Sequence, residues 1–142
     1  MPFVSVTRLR IRSPRYLPML FLQAARSAWQ ARQAPGSLKV SLLREANRTF
    51  WTRTLWSDEK SMRAFQSAEP HGKVMRQLAD WCDEASVVHW NQDSAELPAW
   101  PQAHRRMQQE GRPSRVNQPS EAHVAYRVPA PQVSGFGDID FK

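Results

Sequence analysis

Hydrophobic and polar positions alternate along three stretches of the first half of the chain, and a period of two predicts β-strands. These stretches cover residues 3–12, 38–43 and 50–56. Asn47, between the last two, suits a left-handed turn position, so the pattern predicts a β-hairpin there. A fourth, shorter strand is predicted at residues 87–92.

Apolar residues recur at helical spacing in three other stretches. Residues 16–34 form the first predicted helix. A second helix starts at residues 57–59, with a capping hydroxyl and two acids in its first turn. We expect this helix to break near Pro70 and then to resume through Cys82. The third predicted helix covers residues 99–110.

The order of these elements, β-α-β-β-α-β, is that of a ferredoxin-like α+β domain, which we predict for residues 1–93. Residues 94–142 differ in character because they hold six of the eleven prolines and few aliphatic residues. In this segment we expect the extra C-terminal helix and then an extended or disordered arm that packs little core of its own.

The third predicted strand is apolar or aromatic on both faces. Phe50 and Trp56 lie on one face, and Trp51 and Leu55 lie on the other. A single layer of helices covers one face of a four-stranded sheet, so the other face needs a partner. We therefore expect a homodimer in which two sheets pack face to face.

The net charge does not alter these predictions of fold and assembly, although the chain is basic. Its net charge is +7, and residues 1–54 carry ten Lys and Arg against one acid, Glu45. Such a balance favours nucleic acid as a partner, but no zinc-finger, RNP or KH pattern accompanies it. A solvated basic face is the commoner explanation, so nucleic-acid binding is not expected.

The arginines of residues 8–15 and the apolar run of residues 17–22 together resemble a targeting peptide. However, residues 3–7 have the pattern of a strand, and the apolar run is far shorter than the roughly 20 residues that span a bilayer. We interpret the segment as a strand followed by a helix, with no membrane association.

One cysteine, Cys82, excludes an internal disulfide and fits a reducing compartment, so we expect a cytoplasmic protein. We interpret Cys82 as a buried, inert residue on the second helix. The four histidines have no spacing typical of metal ligands, and no metal site is predicted. Phosphate-binding loops and hydrolase nucleophile motifs are also absent from the sequence.

A few polar and aromatic residues are candidates for a binding site. His71 lies at the predicted helix break, where it either caps the helix or faces a ligand. Asn47 is a turn residue or a polar site residue, and Arg53 is either an interfacial cation or a group that orients substrate. His89 fits a packed, hydrogen-bonded role. The tryptophans that form either core or pocket wall are Trp51, Trp56, Trp81 and Trp90.

The run Phe50-Trp51-Thr52-Arg53-Thr54-Leu55-Trp56-Ser57-Asp58-Glu59, with Met62, Phe65 and then Pro70-His71, resembles a known family. It is similar to the antibiotic-biosynthesis-monooxygenase-like members of the dimeric α+β barrel superfamily, and more loosely to spheroidene monooxygenase. The resemblance covers residues 3–92. It implies a homodimer with a pocket between each sheet and its helices.

The resemblance also implies an activity and the residues that carry it. Some relatives oxidise aromatic or polyketide-like molecules without a metal or other cofactor, and on this basis we assign His71, Arg53 and Asn47 to catalysis. Trp51, Trp56, Phe65 and Trp81 would then contact a hydrophobic, aromatic substrate. A non-catalytic dimeric module that binds a ligand or a partner is one alternative. Haem binding is the second, although Met75 stands where haem-degrading relatives have a histidine.

Overall fold

A computed structural model of the chain shows one antiparallel sheet with helices packed on both of its faces. The structure describes residues 1–68, 71–133 and 138–142, and only the backbone of residues 71–75. In chain order the elements are β1 (Phe3–Ile11), α1 (Leu17–Gln33), β2 (Ser37–Glu45), β3 (Thr49–Trp56), α2 (Glu59–Ser67), α3 (His71–Trp81), β4 (Cys82–Asn91), α4 (Trp100–Glu110), β5 (Arg112–Pro113), α5 (Glu121–Val124) and β6 (Asp138–Asp140).

The four long strands have the ferredoxin-like arrangement that the sequence predicts. Their order is β4-β1-β3-β2, and the short strands β5 and β6 extend the two edges of the sheet. The predicted hairpin joins β2 to β3, with Asn47 and Arg48 at φ of 63° and 60° in the turn. The targeting-peptide alternative is not needed for residues 3–33, because they form β1 and α1 of this fold.

The first face of the sheet, which carries Ser5, Thr7, Thr52 and Thr54, lies under α1, α2 and α3. Small residues of α1, Ala28 and Ala31, let this helix approach the sheet closely and pack with Val40 and Met62. Leu78 of α3 joins Leu20 and Phe50 in a neighbouring cluster. The second predicted helix is interrupted as expected, with α2 ending at Ser67 and α3 beginning at His71, although Pro70 itself lies outside the described residues.

The second face is covered by the C-terminal segment of the same chain, which corrects the expectation that this segment packs little core. Trp100, Ala103 and Met107 of α4 pack directly on the strands and are at most 6% exposed. Val128 from the following segment joins the same cluster. The strand residues beneath them are Val4, Val6, Leu43, Trp51, Leu55, Val88 and Trp90. Since these side chains are already buried, the second face does not require a second subunit to cover it. The homodimer stays a prediction of the family resemblance alone.

The described parts of the remaining C-terminal segment, residues 111–133 and 138–142, add strands to both edges of the sheet. β5 pairs with β4 at residues 86–87, and β6 pairs with β2 at residues 41–43. Between them, α5 is capped by Ser120 and lies against β4. This proline-rich sequence therefore contributes to the sheet and covers part of it.

Strand β4 begins at Cys82, five residues before the predicted start. Cys82 is fully buried as expected, but it starts a strand and does not lie on a helix. The sequence does not indicate this start, because Cys82 is followed by Asp83 and Glu84, and acidic residues are uncommon in strands. Glu84 is 3% exposed and its carboxylate accepts hydrogen bonds from Arg8 at 2.7 Å and Arg10 at 3.0 Å. Paired in this way, an acid can occupy a buried strand position.

Within the described parts of the chain, no helix combines the length and the apolar character that crossing a membrane requires.

Candidate functional site

A cavity of about 120 Å³ lies between the first face of the sheet and the helices above it, and we call it the inner cavity. Its roof consists mostly of apolar side chains from α1, α2 and α3, with Ser27 and Gln66 as the polar ones. Its floor is formed by the central strands. The lining residues are Ser5, Thr7, Leu9, Leu20, Ala24, Ser27, Ala28, Ala31, Val40, Leu42, Thr52, Thr54, Met62, Phe65, Gln66 and Leu78. The cavity thus lies where the resemblance implies a pocket.

Hydroxyl groups cluster on the floor of the inner cavity. Ser5 and Thr7 lie on β1 opposite Thr54 and Thr52 of β3, so the four side chains form a patch on one face of two adjacent strands. The Thr54 hydroxyl accepts a hydrogen bond from Trp56 Nε1 at 2.8 Å and donates to the Ser5 carbonyl at 3.4 Å. Hydroxyl groups both donate and accept, so this floor suits an oxygen-bearing ligand of either polarity.

A fifth hydroxyl comes from the roof. Ser27 of α1 is among the lining residues, and its buried Oγ has no hydrogen-bond partner among the described residues. An unpaired buried hydroxyl costs free energy, because it has lost its hydrogen bonds to water. A polar group of a bound molecule would remove that cost.

Phe65 forms one wall of the inner cavity and packs against Trp56. The two ring centroids are 5.2 Å apart with an interplanar angle of 31°. Trp56 is fully buried and does not itself line the cavity. Of the four aromatic residues predicted to contact substrate, the structure therefore places Phe65 at the cavity and Trp56 directly behind it.

Arg53 and Trp51 lie on the second face of the sheet, away from the inner cavity. The Arg53 guanidinium lies 3.8 Å from the centroid of the Trp100 ring and donates to the Pro98 carbonyl at 2.9 Å and to Ser41 Oγ at 2.8 Å. Burial lowers the pKa of Arg53, an effect opposed by the charges of Asp138 and Asp140. Arg53 is therefore a buried cation whose described partners belong to its own chain, and both roles considered for it, at an interface or on a substrate, stay predictions.

The other predicted site residues are also dispersed. Asn47 is exposed in the hairpin turn, in keeping with the turn role. Trp81 is half-buried in the cluster around Ile11 and Leu20 and does not line the cavity. His71 is the first residue of α3, and its side chain, like that of Met75, lies outside the described residues.

Burial shifts the pKa values of two further groups, His89 and Cys82. Desolvation lowers the pKa of His89 to about 4, helped by the charges of Arg63 and Arg112. Its Nε2 atom is buried without a hydrogen-bond partner among the described residues, so the expected hydrogen-bonded role is not seen there. Burial raises the pKa of the Cys82 thiol to about 12, which leaves it protonated and inert at neutral pH.

No group of three or more His, Cys, Asp or Glu side chains that could hold a metal ion is found in residues 1–68, 71–133 and 138–142. The inner cavity offers hydroxyl and amide groups, which are weak ligands for a transition metal. At about 120 Å³ it is also too small for a haem macrocycle.

The hydroxyl floor was missed by the sequence analysis, although a signal for it was present. Ser5, Thr7, Thr52 and Thr54 occupy the alternating positions that the strand pattern assigns to one face, and all four carry hydroxyls. A polar patch in the middle of a face that helices cover requires either a partner or a cavity. The neighbouring tryptophans were the more conspicuous feature.

Comparisons with known proteins bear on the fold. The sequence matches no protein-family model and no curated protein. Among solved structures it is similar to Rv0793 of Mycobacterium tuberculosis, with a TM-score of 0.61 and 13% identity over 68% of this chain and 100% of that one. A structure described as an antibiotic biosynthesis monooxygenase gives a TM-score of 0.58 and 14% identity over 65% of this chain and 99% of that one.

A variant of SnoaB, described as a cofactor-independent oxygenase from Streptomyces nogalater, is 21% identical over 69% of this chain and 98% of that one, with a TM-score of 0.51. The looser resemblance to spheroidene monooxygenase stays a prediction. At these identities the likeness concerns architecture. The chain has the ferredoxin-like α+β fold of the antibiotic-biosynthesis-monooxygenase-like proteins, extended by a C-terminal segment that covers the second face of its sheet.

Proposed function

We propose that this chain is a monooxygenase-like protein that oxidises a small, hydrophobic, aromatic molecule in the inner cavity without a bound metal. The observation that carries the proposal is a largely apolar cavity with a hydroxyl floor, in a fold shared with proteins described as oxygenases. A cavity of about 120 Å³ is near the size of the roughly 150 Å³ apolar cavity known to take up benzene. The proposed substrate is therefore of single-ring size.

The hydroxyl floor supplies the stabilisation that such a reaction needs. When a phenol or an enol loses its proton, negative charge collects on its oxygen, and fixed donors in a dry site stabilise that charge. The Ser27 hydroxyl has no hydrogen bond in the described structure that would compete with this role, and Thr52 lines the same cavity. The mostly apolar roof limits the contact of the anion with water while it reacts with oxygen.

The proposed reaction balances without an external reductant. In the keto tautomer of a phenol, a ring CH₂ group becomes a carbonyl. One atom of O₂ stays in the product, and the other leaves with the two hydrogens as water. The substrate itself supplies the electrons, so the reaction requires no redox cofactor.

A base must also remove the first proton, and the described lining residues include no acid, histidine or lysine. His71 remains our proposed base because α3 begins there, on the side of the sheet that holds the cavity. Arg53 and Asn47 do not line the cavity, so a direct catalytic role for either would require a different site.

The second candidate is a non-catalytic ligand-binding protein. The observation that favours it is the same lack of a titratable group among the described lining residues, since hydroxyls alone can bind a ligand but do not accept its proton at neutral pH. The homodimer that the resemblance implies is compatible with both candidates, provided that its interface lies outside the second face. Native mass spectrometry of the purified chain measures the oligomeric state directly.

The test is oxygen consumption by the purified chain with phenol and resorcinol, with the product analysed by mass spectrometry under ¹⁸O₂. We expect incorporation of one ¹⁸O atom, loss of turnover in His71→Ala, and a decrease of about 100-fold in Thr52→Val. Thr49→Val, on the same strand but outside the cavity, is the matched control and should keep its activity. Binding without turnover would favour the second candidate, and the absence of both would refute the proposal.

A further inference from the structure

A second, open groove of about 470 Å³ lies outside the inner cavity, between the C-terminal end of α1 and α2. We call it the outer groove. Its walls come from Gln30, Gln33, Ala34, Pro35, Lys60, Ser61, Ala64, Phe65 and Ala68. Next to Pro35, Gly36, at φ of 82°, packs so tightly against the groove residue Ser61 that no side chain fits between them.

Phe65 lines both spaces. It is the one described residue that contributes to the wall of the inner cavity and to that of the outer groove. Its ring is partly buried and lies near the C-terminal end of α2, which finishes at Ser67. A rotation of this single side chain would therefore join the two spaces.

The two spaces differ in chemistry. The inner cavity has no charged group among its described lining residues, whereas the outer groove carries the ammonium group of Lys60 beside an apolar wall of Ala34, Pro35, Ala64 and Ala68. An alkyl chain fits such a wall, and a carboxylate or sulfate at its end would lie near the lysine.

We infer that the inner cavity and the outer groove form one binding site for an aromatic molecule with an anionic side chain, and that the Phe65 ring is the partition between ring and chain. This inference rests on the proposed function, because it takes the inner cavity as the site of the ring. It extends the ligand from a bare ring to a ring with an acidic substituent.

Phe65 then determines which molecules fit. The ring separates the two spaces in its observed position, and its rotation would let a slender chain pass while a fused multi-ring molecule stays excluded. Phe65→Leu keeps an apolar side chain but lacks the ring, so it should admit 1-naphthol with at least about tenfold higher affinity than the native chain does, a change of about 1.4 kcal/mol.

The deciding experiment is calorimetric titration of the purified full chain with two probes, phenol and 4-(4-hydroxyphenyl)butanoate. Ala64→Phe places a bulky ring in the outer groove at an exposed position of α2, and Ala25→Phe adds the same ring at an exposed position of α1 outside both spaces. We expect Ala64→Phe to weaken binding of the butanoate by at least about tenfold and to leave phenol binding unchanged. Ala25→Phe should change neither.

Lys60→Gln should weaken the butanoate by a smaller factor, about two- to fivefold, since an exposed ion pair contributes little in water. The inference is overturned if the native chain binds phenol but Ala64→Phe affects both probes alike, or affects neither. The proposed function would still stand in that case. Failure of phenol itself to bind the native chain would instead count against the proposed function.

Discussion

His89 is held neutral by its surroundings, and this has a consequence for stability. The unfolded chain takes up a proton on histidine as the pH falls below 6.5, whereas the folded chain resists protonation until about pH 4. Protons therefore bind preferentially to the unfolded chain over this range, and stability falls as the pH falls. Desolvation is the largest cause of the lowered pKa, followed by the charges of Arg63 and Arg112, while Glu59 acts in the opposite direction.

We predict that urea unfolding of the native chain shows a clear loss of stability between pH 6.5 and pH 4, and that His89→Gln loses less over the same interval. The ring carbon protons of His89, followed by NMR, should titrate near pH 4. A titration of His89 near pH 6.5 in the folded chain would contradict this account.

Single residues also show where the sequence ceases to predict the site. The strand pattern correctly assigns Thr52 and Thr54 to one face and Arg53 to the other, because side chains alternate along a strand. What surrounds Arg53 could not be predicted, since its partners are the Pro98 carbonyl, 45 positions away, and Asp138 on a strand of three residues. Such contacts depend on the path of the C-terminal segment, which has no periodic pattern.

At the scale of elements, the start of β4 depends on one buried cluster of charges. Glu84 pairs with Arg8 and Arg10 of β1, and Ser120 donates to the same carboxylate at 2.7 Å. These hydrogen bonds and charges hold the pKa of Glu84 below its ordinary value, although burial acts to raise it. The cluster links the strand, its neighbour and the cap of α5.

We predict that Glu84→Ala lowers the free energy of unfolding by about 3–5 kcal/mol, because it leaves the buried Arg8 cation without its carboxylate. The matched control is Glu59→Ala, which removes an exposed pair with Arg63 and should cost less than about 1 kcal/mol. Urea unfolding at neutral pH measures both. Equal effects of the two substitutions would show that the buried cluster does not stabilise β4.

The helix α4 illustrates a different limit of prediction. Trp100, Ala103 and Met107 recur at helical spacing, so the existence and bounds of the helix follow from the sequence. Its packing partner does not, because an apolar stripe fits a second subunit as well as the sheet of its own chain. The helices of residues 1–93 alone would leave the second face of the sheet uncovered, and α4 supplies the missing layer.

At the scale of the whole molecule, the C-terminal segment is an integral part of the core. Met107 is fully buried against the second face, whereas Met19 on α1 is 48% exposed. We predict that Met107→Ala lowers the free energy of unfolding by about 2–5 kcal/mol through loss of packing and creation of a cavity. Met19→Ala should change it by no more than about 0.5 kcal/mol. A neutral Met107→Ala, measured by urea unfolding, would mean that α4 is only loosely attached.

Both proposals require that the inner cavity binds a ring-sized molecule. Adjacent alanines of α1 provide the most direct test, because Ala24 lines the cavity and Ala25 is exposed outside it. Calorimetric titration with phenol should show binding to the native chain and to Ala25→Leu, and loss of binding by at least about tenfold in Ala24→Leu, whose larger side chain fills the space. Equal binding of phenol by the two variants, or no binding by the native chain, would contradict the account.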